Sequence, residues 1–463
     1  MVLRDLAQFH ENPAVIAWWQ NAWGRALVWF SVPQRRRRTL AAASLGIALA
    51  AILHAPARFK GLPLPQGAFG VSLVFAAQAL LLYLWYQAAV HFARLPAWMR
   101  RHPQMTLHAS YGLLLLLLGA TVGQTGLVRG VLLALAILYP VLIWRIGYML
   151  MAGQQRRMGG TGVADHLFYL WPAYGGSDTP YGKGLSYLSQ HEASTPDELA
   201  RSQLAGIKLL LLAVLWRIVL TVFEGTLYGS GNWFTRAIGG HTAGIAQMED
   251  LLPRGAGAPL LQAWFSVYGE LFEHVLRLAI KGHLIVGMLR LFGFNVFRNT
   301  YKPLLAESIV EFWNRYFYYF KELLVTFFFM PTFTGFGKRL RQWPRLRLMA
   351  AVFAAAFVGN VYYHVIKDAG LVQADLAHLL FIHENRSFYC LLLAIGIYVS
   401  MLREQIRRGS PLPGGRARRV MRIFGVWTFF GLIFIWNAGG SATFGHRLDF
   451  FLGLFTRVAA WHS

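Results

Sequence analysis

The sequence predicts an all-α polytopic membrane protein, and three observations on its residues lead to this fold class. Hydrophobic residues make up 56% of the 463 residues, and charged residues make up only 14%. The apolar residues gather in long runs, and a transmembrane helix needs about 20 mostly apolar residues. The basic residues lie in short clusters between those runs, as the positive-inside rule describes. By length we expect about ten to eleven transmembrane helices, with interfacial and re-entrant helices, around a central cavity or tunnel.

The first predicted element is an interfacial helix at 15–33. Tryptophan prefers the boundary between membrane and water, and this stretch contains Trp18, Trp19, Trp23 and Trp29. We therefore expect a helix that lies in the plane of the membrane rather than across it. The arginine run that follows, 35–38, is expected on the cytoplasmic side.

The candidate membrane spans come next along the chain. They are 39–55, 69–92, 107–124, 127–150, 204–222, 259–291, 346–366, 374–401, 420–437 and 441–460. Acidic and basic residues interrupt 259–291, which predicts a long helix with one polar face that lines a cavity. Charged residues also interrupt 303–335, which predicts a partly buried or re-entrant segment, because bare backbone is not tolerated in lipid.

Membrane topology accounts for the charge balance. The sequence has 44 Lys and Arg against 20 Asp and Glu, a formal net charge of +24. Because these basic residues cluster beside the apolar runs, we interpret them as cytoplasmic signals that also contact anionic lipids. We expect membrane lipids as partners and no nucleic acid. The single cysteine, Cys390, cannot form a disulfide within the chain.

The most informative stretch runs from Gly293 to Tyr316 and reads GFNVFRNTYKPLLAESIVEFWNRY. Polar groups at membrane depth cost free energy unless they have partners, so their density here indicates a functional region. The stretch resembles the signature of the membrane-bound O-acyltransferase family, in the branch that includes the membrane subunit of alginate O-acetylation and the teichoic-acid D-alanylation protein. The residues that carry the resemblance are Gly293, Phe294, Asn299, Pro303, Ala306, Ser308, Glu311, Phe312, Trp313, Arg315 and Tyr316.

The resemblance implies a catalytic histidine in a later apolar run, and His364 in GNVYYH occupies that place. His378 stands where members of the family often have a second histidine. Three positions depart from the branch: Phe317 replaces a frequent histidine, Tyr363 replaces the usual tryptophan, and Gly359 lies farther upstream of His364 than usual. These departures bear on the substrate and leave the family resemblance in place.

The chemistry of acyl transfer assigns roles to these residues. Transfer from a thioester to a hydroxyl needs a base for the hydroxyl proton, and a neutral imidazole suits that task, which points to His364. The tetrahedral oxyanion needs hydrogen-bond donors. The candidate donors, in order of preference, are Asn314, Ser308 and Asn360. We therefore predict His364 and Asn314 as the catalytic pair.

The other predicted site residues shape a substrate tunnel or bind the acyl donor. Glu311 and Arg315 stand at i,i+4 on a helix, where they either form a structural ion pair buried in the bundle or shape the donor entrance. Trp313 either packs or lines the tunnel. The full set is Ser308, Glu311, Trp313, Arg315, Asn360, Tyr363 and His378. We expect no metal, since His274 and His283 with Glu270 and Glu273 only loosely resemble ligand spacing.

These expectations describe one membrane-embedded acyltransferase domain, 1–463, with a signature segment at 293–335 and the catalytic histidine in helices of 346–402. No cofactor is expected to stay bound; the co-substrate is an acyl-CoA or acyl carrier protein thioester. The acceptor is a hydroxyl of a cell-envelope glycan, a lipid or a partner protein, as in polysaccharide O-acetylation. The resemblance implies a multi-pass protein of the bacterial inner membrane, with a possible periplasmic acyl-transfer partner.

Two alternatives remain open at this point. Many spans with intramembrane charges also suit a transporter or flippase of an envelope precursor, although the sequence shows no repeated half. Within the acyltransferase class, a lipid O-acyltransferase is the other alternative.

Overall fold

The computed structural model describes residues 8–53, 61–65, 67–167, 179, 181–407 and 414–456. The structure is 77% helical, and the described residues form no strand. The extended contact that they contain is one isolated antiparallel bridge between Glu192 and Phe294. The predicted all-α polytopic membrane class is therefore confirmed.

The α-helices of the described residues are numbered here in chain order. The first ten α-helices are α1 Pro13–Phe30, α2 Pro33–Leu53, α3 Gly67–Val90, α4 Ala97–Arg101, α5 Pro103–Ala120, α6 Leu127–Gln154, α7 Val163–Leu167, α8 Leu185–Gln190, α9 Pro196–Leu227 and α10 Trp233–Ala237. The second ten are α11 Met248–Leu251, α12 Leu260–Leu291, α13 Ile309–Tyr316, α14 Tyr318–Leu324, α15 Met330–Gly335, α16 Pro344–Phe353, α17 Asn360–Ala369, α18 Leu376–Ile406, α19 Arg416–Phe434 and α20 Phe444–Thr456.

Within the part of the chain that the structure describes, five stretches are long and apolar enough to cross a membrane: Gly67–Val90, Leu127–Gln154, Pro196–Leu227, Pro344–Ala369 and Leu376–Ile406. The chain is therefore a multi-pass membrane protein. The other predicted spans coincide with α2, α5, α12, α19 and α20, except that 54–55 and 457–460 lie outside the described residues. The total of about ten to eleven spans stays a prediction.

The chain divides into two compact units. The first comprises Met1–Leu210, Leu284–Phe297 and Tyr363–Phe381, and the second comprises Leu211–His283, Arg298–Tyr362 and Ile382–Ser463. Helices α9, α12, α17 and α18 each contribute residues to both units. The predicted catalytic histidine belongs to the first unit, and most of the signature segment belongs to the second.

In the first unit, α1 has the two faces of an interfacial helix. Its inward face buries Ile16 and Leu27, and the indole N–H of Trp19 donates to Gln203 Oε1 at 2.8 Å. The outward face exposes large aromatic side chains, namely Trp18, Trp23 and Trp29. Rings that combine an apolar body with a polar N–H suit the headgroup region of a bilayer. The in-plane orientation of α1 stays a prediction.

The first unit also ties the start of α2 to the signature glycine. Arg36 is fully buried, and its guanidinium donates to the carbonyl of Phe30 at 3.0 Å. Gly293 has φ +87°, and a Cβ added there would lie 2.8 Å from Arg36 Nη1. A side chain at Gly293 is therefore excluded by backbone conformation and by the guanidinium together.

In the second unit, α12 and α13 pack against α19. A Cβ added at Gly431 would lie 2.8 Å from a methyl group of Val267, so α12 and α19 approach closely at this glycine. On α13, the ring of Phe312 stacks on Phe430 of α19, with ring centroids 3.8 Å apart. This contact fixes the signature helix on its unit.

Candidate functional site

The signature helix α13 begins with a capping arrangement made by two predicted site residues. The backbone N–H of Glu311 donates to Ser308 Oγ at 3.1 Å, and Glu311 Oε2 in turn accepts from the backbone N–H of Glu307 at 2.6 Å. The first N–H groups of a helix lack intrahelical partners, and side-chain oxygens in this spacing satisfy them. Ser308 and Glu311 therefore hold the start of the helix.

Upstream residues of the signature satisfy the backbone at the other end of α13. The N–H of Tyr301 donates to the carbonyl of Arg315 at 2.8 Å, and Thr300 Oγ1 donates to the carbonyl of Tyr316 at 2.9 Å. Asn299 then accepts at the start of α14, where its backbone and side-chain oxygens bind the N–H groups of Tyr318 and Tyr319. Asn299 is thus a structural residue that joins the two helices.

The predicted pair of Glu311 and Arg315 forms on one face of α13. Arg315 Nη2 lies 2.5 Å from Glu311 Oε1, and the two side chains are 33% and 35% exposed. The pair therefore sits at the surface of its unit rather than in the interior. A contact of this exposure contributes little to stability, about 0–1 kcal/mol, so it leaves Arg315 available to another anion.

Sequence reasoning missed Glu307 as a site residue. Its carboxylate accepts from Arg422 Nε at 3.0 Å and from Arg422 Nη2 at 2.7 Å, while Arg419 Nε lies 2.9 Å away. Two charges from α19 thus anchor the segment just before Ser308. The first two turns of α19 contain four arginines, at 416, 418, 419 and 422, but nothing in the sequence identifies Glu307 as their partner.

Trp313 and Asn314 occupy different environments on α13. Trp313 is buried, and its ring meets Phe320 edge-on with centroids 6.3 Å apart. Asn314 is exposed, and its side-chain amide makes no hydrogen bond with any described residue. Trp313 therefore packs, whereas the amide of Asn314 is open to a ligand.

In the first unit, aromatic contacts fix the helix that carries His364. The hydroxyl of Tyr363 lies 3.1 Å from Thr179 Oγ1, and its ring stacks on Trp144 with centroids 6.1 Å apart. The ring of His364 stands perpendicular to Tyr363 at 5.2 Å, and the histidine is half-buried. Tyr111 adds a hydrogen bond of 2.9 Å to the carbonyl of Ile366. The imidazole is thus held by a rigid frame while part of it stays accessible.

Asn360 is the first residue of α17, the helix that carries His364, and His378 lies in the next helix, α18. Asn360 is buried and follows a π-helical segment, Ala354–Gly359, and such segments are frequent at functional sites. His378 is exposed in the first turn of α18, where its backbone N–H donates to Asp375 Oδ1 at 3.1 Å. The position of His378 is therefore that of a surface residue of the first unit.

The predicted site residues fall into two groups. The first unit contains His364, Tyr363 and His378, and the second contains Ser308, Glu311, Trp313, Asn314, Arg315 and Asn360. Within the second group, capping and ion-pair contacts bring Ser308, Glu311 and Arg315 together.

No protein-family model and no curated protein matches this chain. The membrane-bound O-acyltransferase resemblance of the signature segment therefore stays a prediction. Among the residues that the structure describes, no group of three or more His, Cys, Asp and Glu side chains is arranged to hold a metal ion.

Proposed function

We propose that this chain is a membrane O-acyltransferase in which His364 acts as the general base. The acceptor hydroxyl gives its proton to the imidazole, and its oxygen forms a bond to the thioester carbonyl carbon. Collapse of the tetrahedral intermediate breaks the carbon–sulfur bond, and the proton passes from the imidazolium to the leaving thiolate. The observation that carries the proposal is the half-buried position of His364 on a helix fixed by Tyr363, Trp144 and Thr179.

The proposed oxyanion donor is Asn314. Its amide is exposed and makes no hydrogen bond with the described residues, whereas the hydroxyl of Ser308 is engaged as a helix cap and Asn360 is buried. A donor that must bind a developing oxyanion needs free hydrogen-bonding capacity, which favours Asn314 over the other two.

The proposed donor is a cytoplasmic acyl-CoA or acyl carrier protein thioester. Lys302 and Arg315 belong to the signature segment, and Lys338 and Arg339 follow it. Lys302 is exposed and lies 5.3 Å from the ring centroid of Tyr301. Positive side chains of this kind attract phosphate groups. The proposed acceptor is a hydroxyl of a cell-envelope glycan, a lipid or a partner protein at the bacterial inner membrane.

The test replaces His364 by Ala in purified protein reconstituted in liposomes. Transfer of radiolabelled acetyl from acetyl-CoA to an envelope fraction is expected to fall about 10²–10⁴-fold, the usual contribution of a general base. His91→Ala is the matched control, because His91 is an exposed histidine of the same unit. Unchanged transfer by a folded His364→Ala protein would rule out the assignment of the base.

A transporter or flippase is the second candidate, and a charged cluster in the second unit favours it. Glu224 on α9 and Arg277 on α12 pair at 2.7 Å, and long membrane helices hold such charges mainly for transport or relay. The same His364→Ala protein discriminates the two functions. A flippase with a merely structural histidine keeps its lipid-scrambling or uptake rate, whereas an acyltransferase loses transfer. A lipid O-acyltransferase is distinguished by label in the lipid fraction rather than in glycan.

A further inference from the structure

The second unit contains three neighbouring carboxylates, two of which contact the same guanidinium. Arg277 Nη2 lies 2.7 Å from Glu224 Oε1 and 3.5 Å from Glu273 Oε2. The third carboxylate, Glu270, lies 3.0 Å from the Nδ1 atom of His274. Arg277 is therefore the one arginine that contacts both Glu224 and Glu273 among the described residues.

Glu273 is the least satisfied member of this cluster. Its side chain is only 9% exposed, and its Oε1 atom is fully buried without a hydrogen-bond partner among the described residues. Arg277 is closer to Glu224 than to Glu273, so its stronger ion pair is the one with Glu224. A buried ionised carboxylate costs several kcal/mol unless it is paired and hydrogen-bonded, and a bound proton removes that cost.

Two tyrosines and one arginine surround the three carboxylates. The hydroxyl of Tyr228 lies where all three carboxylates act on it electrostatically. A Cβ added at Gly269 would lie 2.2 Å from that hydroxyl, so the glycine makes room for it against the helix backbone. Arg447 and Tyr316 are within electrostatic reach of Glu270. The groups around Glu273 are therefore Glu224, Tyr228, Glu270, His274 and Arg277, with Arg447 and Tyr316 beyond Glu270.

We propose that Glu273 is a proton-binding site whose buried Oε1 atom carries the proton at neutral pH. When Glu273 is protonated, two carboxylates of the cluster remain charged: Glu224, which pairs with Arg277, and Glu270, which contacts His274. When Glu273 loses its proton, its carboxylate competes with Glu224 for Arg277. Proton release at Glu273 therefore weakens the contact between α9 and α12 that Arg277 makes with Glu224.

The proposal is tested by infrared spectroscopy of the full-length protein in liposomes, with Glu273→Gln as the variant. Glutamine has the size of a protonated glutamic acid, so we expect this protein to fold. The difference between wild-type and variant spectra at neutral pH is expected to contain the C=O band of one buried carboxylic acid, and this band should vanish as the pH is raised. A difference spectrum with only carboxylate bands would overturn the proposal.

Glu270→Gln is the matched control from the same helix. The Glu270 carboxylate contacts His274, so its replacement is expected to remove carboxylate bands and no acid band. Loss of the acid band in Glu270→Gln but not in Glu273→Gln would place the proton on the wrong residue and refute the assignment. This test is independent of acyl transfer, because it measures protonation of the folded protein without any substrate.

A second measurement follows the thermal midpoint against pH. A folded state that holds a proton more tightly than the unfolded chain loses stability as the pH rises through the range in which the proton leaves. The thermal midpoint of the wild-type protein is therefore expected to fall faster than that of Glu273→Gln as the pH rises from the ordinary pKa of a glutamate, about 4.3, to the pH at which the infrared acid band vanishes. Parallel curves for the two proteins would contradict the proposal.

Discussion

Arg36 Nη2 lies 3.3 Å from Glu192 Oε1, and the two side chains are 0% and 4% exposed. Arg37 binds the same carboxylate. Two of the four arginines in the cluster at 35–38 are therefore engaged within the first unit, beyond any role in membrane orientation. Because Glu192 precedes Ala193, whose N–H donates to the carbonyl of Gly293 at 2.8 Å, this ion pair joins α2 to the start of the signature segment.

Removal of Glu192 is expected to destabilise the protein strongly. Glu192→Ala leaves the guanidinium of Arg36 buried without a carboxylate, which typically costs about 3–5 kcal/mol. The measurement is the thermal midpoint in detergent. Arg201→Ala is the control, since its pair with Asp197 is more than half exposed and solvent screens such a pair. Equal effects of the two variants would show that burial of the Arg36 pair does not matter.

Two variants of Ser308 test whether this serine only caps a helix or also takes part in acyl transfer. Ser308→Ala removes the cap of α13 and is expected to cost about 0.5–2 kcal/mol, while Ser308→Asp keeps a capping oxygen and restores most of it. If the residue only caps the helix, acyl transfer should recover in Ser308→Asp together with the thermal midpoint. Recovery of the midpoint without recovery of transfer would assign the hydroxyl a direct role.

Local sequence patterns account for the parts of the fold and site that were predictable. The spacing of Ser308 and Glu311 is that of a capping box, and the spacing of Glu311 and Arg315 is that of a helical ion pair, so both contacts follow from positions within one helix. Apolar run length predicted the long helices in the same way. In each case the interacting groups lie within one turn or one element.

Contacts between distant segments were not predictable from one sequence. Glu307 meets Arg422 across 115 positions, and Arg37 meets Glu192 across 155. Nothing in local composition specifies which acidic and basic residues of a membrane protein will face each other, because packing of whole helices decides it. The exposure of Asn314 and the burial of Trp313 likewise depend on which face of α13 meets its unit. The π-helical segments Val325–Phe329 and Ala354–Gly359 have no sequence signal that we recognise.

Gly359 is expected to be intolerant of a side chain. A Cβ at this position would lie 2.7 Å from ring atoms of Phe328, so Gly359→Ala forces the two π-helical segments apart. Overpacking of this kind costs about 1–3 kcal/mol. Gly425→Ala on α19 is the matched control, because a Cβ there meets nothing within 4 Å. The thermal midpoint should fall for Gly359→Ala and stay level or rise for Gly425→Ala, where a helix gains from alanine; the reverse order would contradict the packing.

The first unit is expected to lose stability in mild acid through His166. Burial lowers the pKa of His166 from 6.5 to about 4, with Asp165 opposing and Arg37 adding to the shift. Because the folded state disfavours the charged imidazole, its contribution to stability is complete above pH 6.5 and declines as the pH falls from 6.5 toward 4. The loss is at most about 1.4 kcal/mol for each pH unit in that window. Between pH 7 and 5, the thermal midpoint of a His166→Gln protein should fall less with pH than that of the wild type. An equally steep fall in the variant would exclude His166 as the cause.

Asn314 separates catalysis from folding most cleanly. Because its side chain is exposed and makes no hydrogen bond with the described residues, Asn314→Ala should change stability by no more than about 0.5 kcal/mol. If the amide stabilises the oxyanion, the same change should lower the rate of acyl transfer by about 10²–10³-fold. Asn21→Ala, an exposed asparagine on α1, is the control and should alter neither quantity. Because the expected loss is in kcat with the thermal midpoint unchanged, a fall in both together would assign Asn314 a structural role, and full activity would remove it from the reaction.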